Sequence, residues 1–143
     1  MKKPLVYVAS AYTKGDVAVN VRFQCEQFDD LVGDGIVTPL VPLWSHFQHT
    51  LFPRPYKDWV QYDNEIIPRC DALLRLDVIQ TVGGQGYFQC ESSGADAEVA
   101  LAVSLGIPVF YSVGELYQWV NERNWRDRHG IPQPKLAEGT IQP

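Results

Sequence analysis

Short apolar runs alternate along this chain with stretches whose apolar residues recur every three or four positions. Leu5–Ala9 (LVYVA) is β-branched and aromatic, the composition of a buried strand. A polar segment, Ser10–Asp16, follows. Val17, Val21, Phe28, Leu31 and Val32 then recur at helical spacing, and Gly33 and Gly35 supply stop signals. Ile36–Val41 (IVTPLV) reads as a second strand. Pro39, Pro42, Pro53 and Pro55 crowd the next stretch, which predicts a loop over 42–55. Tyr56–Arg69 reads as a helix and Asp71–Ile79 (DALLRLDVI) as a third strand. Gly83, Gly84 and Gly86 mark 81–90 as a loop. Ser93–Leu105 reads as a helix closed by Gly106 and Pro108, and Pro108–Ser112 (PVFYS) as a fourth strand. Gly114–Asn124 reads as a last amphipathic helix built on Leu116, Trp119 and Val120. From Arg126 the chain is polar and carries Pro132, Pro134 and Pro143. The expected organisation is therefore one domain over 1–125 and an irregular tail over 126–143.

Strands and helices in alternation predict an α/β fold. The expectation is a flavodoxin- or Rossmann-like three-layer arrangement, with a central parallel sheet of four to five strands and helices on both faces. Ligands in such sheets sit beyond the carboxyl ends of the strands. That rule singles out Ser10–Gly15, Trp44–Tyr56, Asp77–Ser93 and Ser112–Glu115. The 143 residues suit one domain with a core that needs no metal or disulfide. Hydrophobic residues make up 45% and charged residues 20%, which excludes a disordered chain. A net charge of -5 offers no general grip on a nucleic acid polymer or an anionic membrane. No apolar run approaches the length of a membrane span. The opening MKKPLVYVAS imitates a secretory leader, but its apolar stretch is short and polar residues follow at once, so it reads as the first strand. Cys25, Cys70 and Cys90 are odd in number and widely spaced, which argues against a disulfide framework or a zinc site and points to the cytoplasm.

Several residues could carry chemistry. The first strand–helix loop, VYVASAYTKGD, has neither a dinucleotide fingerprint nor a P-loop. Ser10, Tyr12, Thr13 and Lys14 still offer hydroxyls and a cation there, or form an ordinary polar turn. In SSGADAEVALAVSLG, residues Ala97 to Leu105 are apolar on nearly every side except at Glu98 and Ser104, the pattern of a buried helix. An ionised carboxylate left there costs several kcal/mol unless paired. Glu98 therefore faces a cleft or a partner, or complements the helix dipole. Ser92, Ser93 and Gly94 suit an anion at a helix start. They equally suit N-capping, with Ser93 and Asp96 spaced like a capping box and Ser92 free to point at a ligand. Trp59, Asp63 and Ile66/Ile67 share one helical stripe, so Asp63 turns inward. Asp63 and Glu98 would then make a nucleophile and general-acid pair with separated pKa values. His46 and His49, beside Trp44 and Phe47, read as surface or half-buried histidines, or as the lining of a base pocket. No third ligand at suitable spacing joins them to hold a metal. Arg75 interrupts a strand and calls for an acidic partner.

Three segments carry a resemblance. VYVASAYT, WVQYDNEIIPRCDALLRL and SSGADAEVALAVSLGIPVF, in that order over roughly residues 4–112, resemble the nucleoside 2-deoxyribosyltransferase superfamily, and within it a small bacterial and phage branch. The resemblance implies a flavodoxin-like sheet and cleavage of the N-glycosidic bond of a small-molecule nucleoside or nucleotide. It implies that Glu98 is the nucleophile that attacks C1′ and forms a glycosyl ester. Asp63 would help protonate the leaving base or orient the sugar, and Tyr7 would contact the nucleophile. It further implies that no metal or other cofactor is needed and that the site is completed in a homodimer or larger homo-oligomer. Six residues before the nucleophile, base-exchanging transferases have an aspartate, whereas relatives that hydrolyse nucleoside 5′-monophosphates have a serine. Here it is Ser92. The expected activity is hydrolysis of (deoxy)nucleoside 5′-monophosphates; the alternatives are base exchange between deoxynucleosides and nucleotide binding without catalysis. Ser10 and Ser92–Gly94 would cradle the phosphate or sugar, with Tyr12, His46 and Trp59 as further substrate contacts. Asp96 replaces the small residue common two positions before the nucleophile, and is expected to bring a second negative charge near the site.

Overall fold

The computed structural model describes residues 2–76 and 91–136. The expected glycine-rich loop over 81–90, Cys90 and the end of the tail lie outside the described residues. The elements run β1 (Leu5–Ala9), α1 (Val17–Asp34), β2 (Thr38–Leu40), α2 (Ser45–Leu51), α3 (Tyr56–Ile66), β3 (Ala72–Arg75), α4 (Ser93–Ser104), β4 (Val109–Phe110) and α5 (Val113–Arg128). Short 3-10 turns cover Pro42–Trp44 and Ile67–Arg69. The strands pair in the order β2-β1-β3-β4, all parallel. A four-stranded parallel sheet flanked by five helices is a three-layer α/β fold of the Rossmann or flavodoxin type.

Period-2 alternation sorts the strand residues between two cores. Val6, Val8, Ala72 and Leu74 pack on one face with Phe23 and Leu31 of α1 and Leu116 and Val120 of α5. Tyr7, Ala9, Leu73 and Val109 pack on the other with Ile67, Ala95 and Ala102. The termini of α1 follow from local chemistry. Asp16 Oδ1 accepts the Val19 N–H at 3.1 Å, and Gly35, at φ 68, turns the chain out of the helix and donates its N–H to the Leu31 carbonyl at 3.3 Å. Glycine tolerates this left-handed conformation because it has no Cβ.

Four expectations are corrected. The proline-rich stretch over 42–55 is not all loop, because it contains α2. Pro42 stands at the first position of a 3-10 turn, where its missing N–H breaks nothing, and Pro53 comes after the helix has ended. The helix expected over Tyr56–Arg69 stops at Ile66 and tightens into a 3-10 turn that takes in Pro68. The last helix runs on to Arg128, beyond the expected start of the tail at Arg126. Its final turn places Arg126 and Arg128 at the negative end of the helix dipole, and the His129 ring stacks on Trp125. Finally, α4 is not buried all round. Ala95 and Ala102 are buried, while Ala97 and Ala100 are exposed. A helix in an outer layer rests one face on the sheet and leaves the other uncovered. Among the described residues, no helix is long and apolar enough to cross a membrane.

Candidate active site

A cleft of about 480 Å³ opens past the carboxyl end of β1, walled by the loop after β1, the 42–45 turn, α3 and the first turns of α4. In this strand order, connections leave β1 and β3 in opposite directions, so their ends form a natural crevice. Buried polar side chains of α1 hold its floor. Gln24 Nε2 donates to Ser10 Oγ at 2.7 Å, and Gln24 Oε1 accepts the Leu43 N–H at 2.9 Å. Asn20 Nδ2 donates to the carbonyls of Tyr12 and Lys14, at 2.9 and 2.8 Å. These two residues escaped the sequence reading. The available signal was a polar residue at each of two positions on the inward stripe of an amphipathic helix.

The chemistry gathers around Tyr7. Its ring is fully buried in mid-strand, and its hydroxyl donates to Glu98 Oε2. Asp63, from α3, lines the same cleft, near enough for its charge to act on both Tyr7 and Glu98. Burial raises the Glu98 carboxyl to about 7; the Tyr7 hydrogen bond and the Arg75 guanidinium oppose that rise, and the Asp63 charge adds to it. Burial likewise raises Asp63 to about 7, with Tyr7 again opposing. Burial first, and then the two carboxylates, push the Tyr7 phenol far above its ordinary range, so it stays a proton donor. Two neighbouring carboxyls poised near neutrality give a group able to attack as a carboxylate beside a group able to supply a proton.

Ser10, Tyr12, Trp59, Asp63, Ser92, Ser93, Gly94 and Glu98 all line the cleft. Tyr7 stands behind Glu98 as part of the sheet. His46 does not line the cleft; its Nδ1 lies 2.6 Å from the Tyr12 hydroxyl and backs that side chain. His49 lines it instead. Both Trp59 Nε1–H and the Arg54 N–H point at His49 Nδ1, at 3.0 and 3.2 Å, which assigns the ring proton of neutral His49 to Nε2. The two histidines are three residues apart, and only the unforeseen helix α2 sets which of them faces inward.

The roles of the two serines exchange. Ser92, extended at φ -161 and ψ 116, is the N-cap, and its Oγ accepts the Ala95 N–H at 3.1 Å. Ser93 is the first helical residue and is exposed. No capping box forms with Asp96, which lies one position too far along; its N–H goes to the Ser92 carbonyl. The Asp96 carboxylate is 3.4 Å from Arg75 Nη2, so Asp96 is an acidic partner of buried Arg75. A Cβ at position 94 would stand 3.0 Å from the Tyr56 hydroxyl, so any larger residue there requires that exposed side chain to shift by a few tenths of an ångström. Cys70 is buried against the Ile66 carbonyl, and burial pushes its thiol up to about 11, which makes it a poor nucleophile. Among the described residues, no group of three or more His, Cys, Asp or Glu side chains could hold a metal ion. No family model matches the chain, and no curated protein matches it.

Proposed function

We propose that this protein cleaves the N-glycosidic bond of (deoxy)nucleoside 5′-monophosphates through a glycosyl ester on Glu98, as a member of the nucleoside 2-deoxyribosyltransferase-like superfamily. The observation that carries this reading is the convergence of Asp63 and of Glu98, which accepts from the Tyr7 hydroxyl, at the wall of a cleft sized for a small ligand. In the first step a Glu98 oxygen bonds to C1′, the C1′–N bond breaks, and its electron pair leaves with the base, which takes the Asp63 proton. In the second step Asp63, now a carboxylate, takes a proton from water. The water oxygen bonds to C1′, and Glu98 leaves as a carboxylate. The products are free base and sugar 5-phosphate. Trp59 and Tyr12 offer aromatic faces to the base, and Ser10 and the start of α4 offer donors to the sugar and phosphate. The reading includes a cytoplasmic homodimer. Its support is the row of exposed apolar side chains on and beside α2, Trp44, Phe47, Leu51 and Phe52, whose contiguity on a monomer is costly.

The test is chromatography of free base released from nucleosides and their 5′-monophosphates. Release is expected from monophosphates without any added base, and it falls at least about a thousandfold in Glu98→Ala. Release only in the presence of an acceptor base would make the protein a transferase. Nucleotide binding without release from any compound would leave a binding protein and end the enzymatic reading. Light scattering decides the dimer separately.

A further inference from the structure

We infer that Lys14 is the counter-charge for the 5′-phosphate and that Glu91 holds Lys14 as a built-in competitor until the substrate arrives; the inference rests on the nucleotide reading above. Among the described residues lining the cleft, Lys14 is the only lysine or arginine. Its Nζ is 2.5 Å from Glu91 Oε2, across 77 positions of sequence. The pair joins the loop after β1 to the segment that enters α4, at the Ser92–Gly94 end of the cleft. Lys14 beside it holds the Glu91 carboxyl below the usual carboxylate range.

The position of Lys14 is built rather than incidental. Buried Asn20 donates to the Lys14 carbonyl and so fixes the backbone from which the side chain reaches. The floor of the cleft is acidic, since Glu98 and Asp63 both repel an anion when ionised. A phosphate carrying about 1.5 to 2 negative charges near neutrality needs a cation at the rim to enter. Ser92 and Gly94 precede Glu98 by six and four residues, a rise of about 6–9 Å along the chain's helical course. That is the scale of a pentose with its 5′ substituent, so a C1′ at Glu98 sets the phosphate near the α4 start and Lys14. The Lys14 and Glu91 side chains are 59% and 72% exposed. An ion pair so exposed holds weakly, and breaking it costs an incoming ligand no more than a few-fold in affinity. A phosphate carries more charge than the carboxylate it displaces, and the ammonium serves either as a point charge with three donors. The free sugar, lacking that charge, leaves the Glu91 contact in place.

The experiment is calorimetric titration with ribose 5-phosphate and with ribose, for the parent, Lys14→Met and Glu91→Gln, with base release measured on the same samples. Lys14→Met is expected to weaken ribose 5-phosphate about tenfold and to leave ribose unchanged. Glu91→Gln is expected to tighten ribose 5-phosphate about threefold. Monophosphate KM should follow the same order with kcat unchanged. Equal ribose 5-phosphate affinity in all three proteins would overturn the inference. So would an equal loss for ribose and ribose 5-phosphate in Lys14→Met, or no ribose 5-phosphate binding by the parent. If the binding order holds while the parent releases no base, the assignment of Lys14 stands and the catalytic reading falls.

Discussion

On β1, Val6 and Val8 turn to one face of the sheet, and Tyr7 and Ala9 to the other. The first face is closed. Phe23 and Leu31 of α1 and Leu116 and Val120 of α5 cover it. The second face is closed only over its lower part, by Ile67, Ala95 and Ala102. Its upper part presents the Tyr7 hydroxyl to Glu98, with Asp63 nearby, in a cleft. The same alternation thus yields a face whose side chains serve stability and a face that sacrifices stability to keep Glu98 and Asp63 away from water. Desolvated carboxyls that titrate near 7 are a standing cost, of the kind that concentrates at functional sites.

Three measurements separate the faces. The largest effect belongs to the closed face. Leu31→Ala leaves a cavity in a fully buried cluster and should lower unfolding free energy by about 2–5 kcal/mol. Denaturant unfolding reads this, and the KM of the residual folded protein should be unchanged. A comparable shift in KM would mean that the two faces are coupled.

The second effect has the opposite sign. The folded pKa of Glu98, about 7, lies above its unfolded value of 4.5. Between those values the folded state binds more protons than the unfolded state, so the contribution of Glu98 to stability falls as pH rises through that window. Glu98→Gln removes the titration, and Tyr7 can still donate to the amide oxygen. The variant should match the parent near pH 5 and exceed its stability by on the order of 1–3 kcal/mol at pH 8. Thermal melts across that range check it; a constant difference would show that Glu98 is not desolvated.

The third effect is smaller and kinetic. The Tyr7 hydrogen bond lowers the Glu98 pKa. Tyr7→Phe withdraws it, so the acidic limb of the pH–rate profile should move to higher pH, with kcat at neutrality down about tenfold. A proportional loss at every pH would give Tyr7 a packing role only.

Much of this division was legible in the chain. The run Leu5–Ala9 is short and β-branched enough to read as a strand, while Tyr7 itself was singled out only by the resemblance. Asp63 and Glu98 stood out because each interrupts an otherwise apolar helical stripe. The contrast between the two histidines was not legible. His46 and His49 lie in a segment whose prolines look like loop signals, and the seven-residue helix that contains both has no long periodicity to read. Ser92 and Ser93 differ by one position, which is within the uncertainty of any helix start read from sequence.

Local patterning by itself determined the α/β class, the strand at Leu5–Ala9, the stop at Gly35 and the inward turn of Asp63. These depend on residues a few positions apart, and side-chain periodicity and backbone sterics act at that range. Tertiary structure alone decided that Glu98 and Asp63 meet in one cleft beside Tyr7, that Arg75 pairs with Asp96, that His49 rather than His46 faces the cleft and that Lys14 meets Glu91. Each depends on the distance between groups brought together from separate elements. Electrostatic energy and desolvation depend on that distance and on burial, which a one-dimensional pattern does not contain.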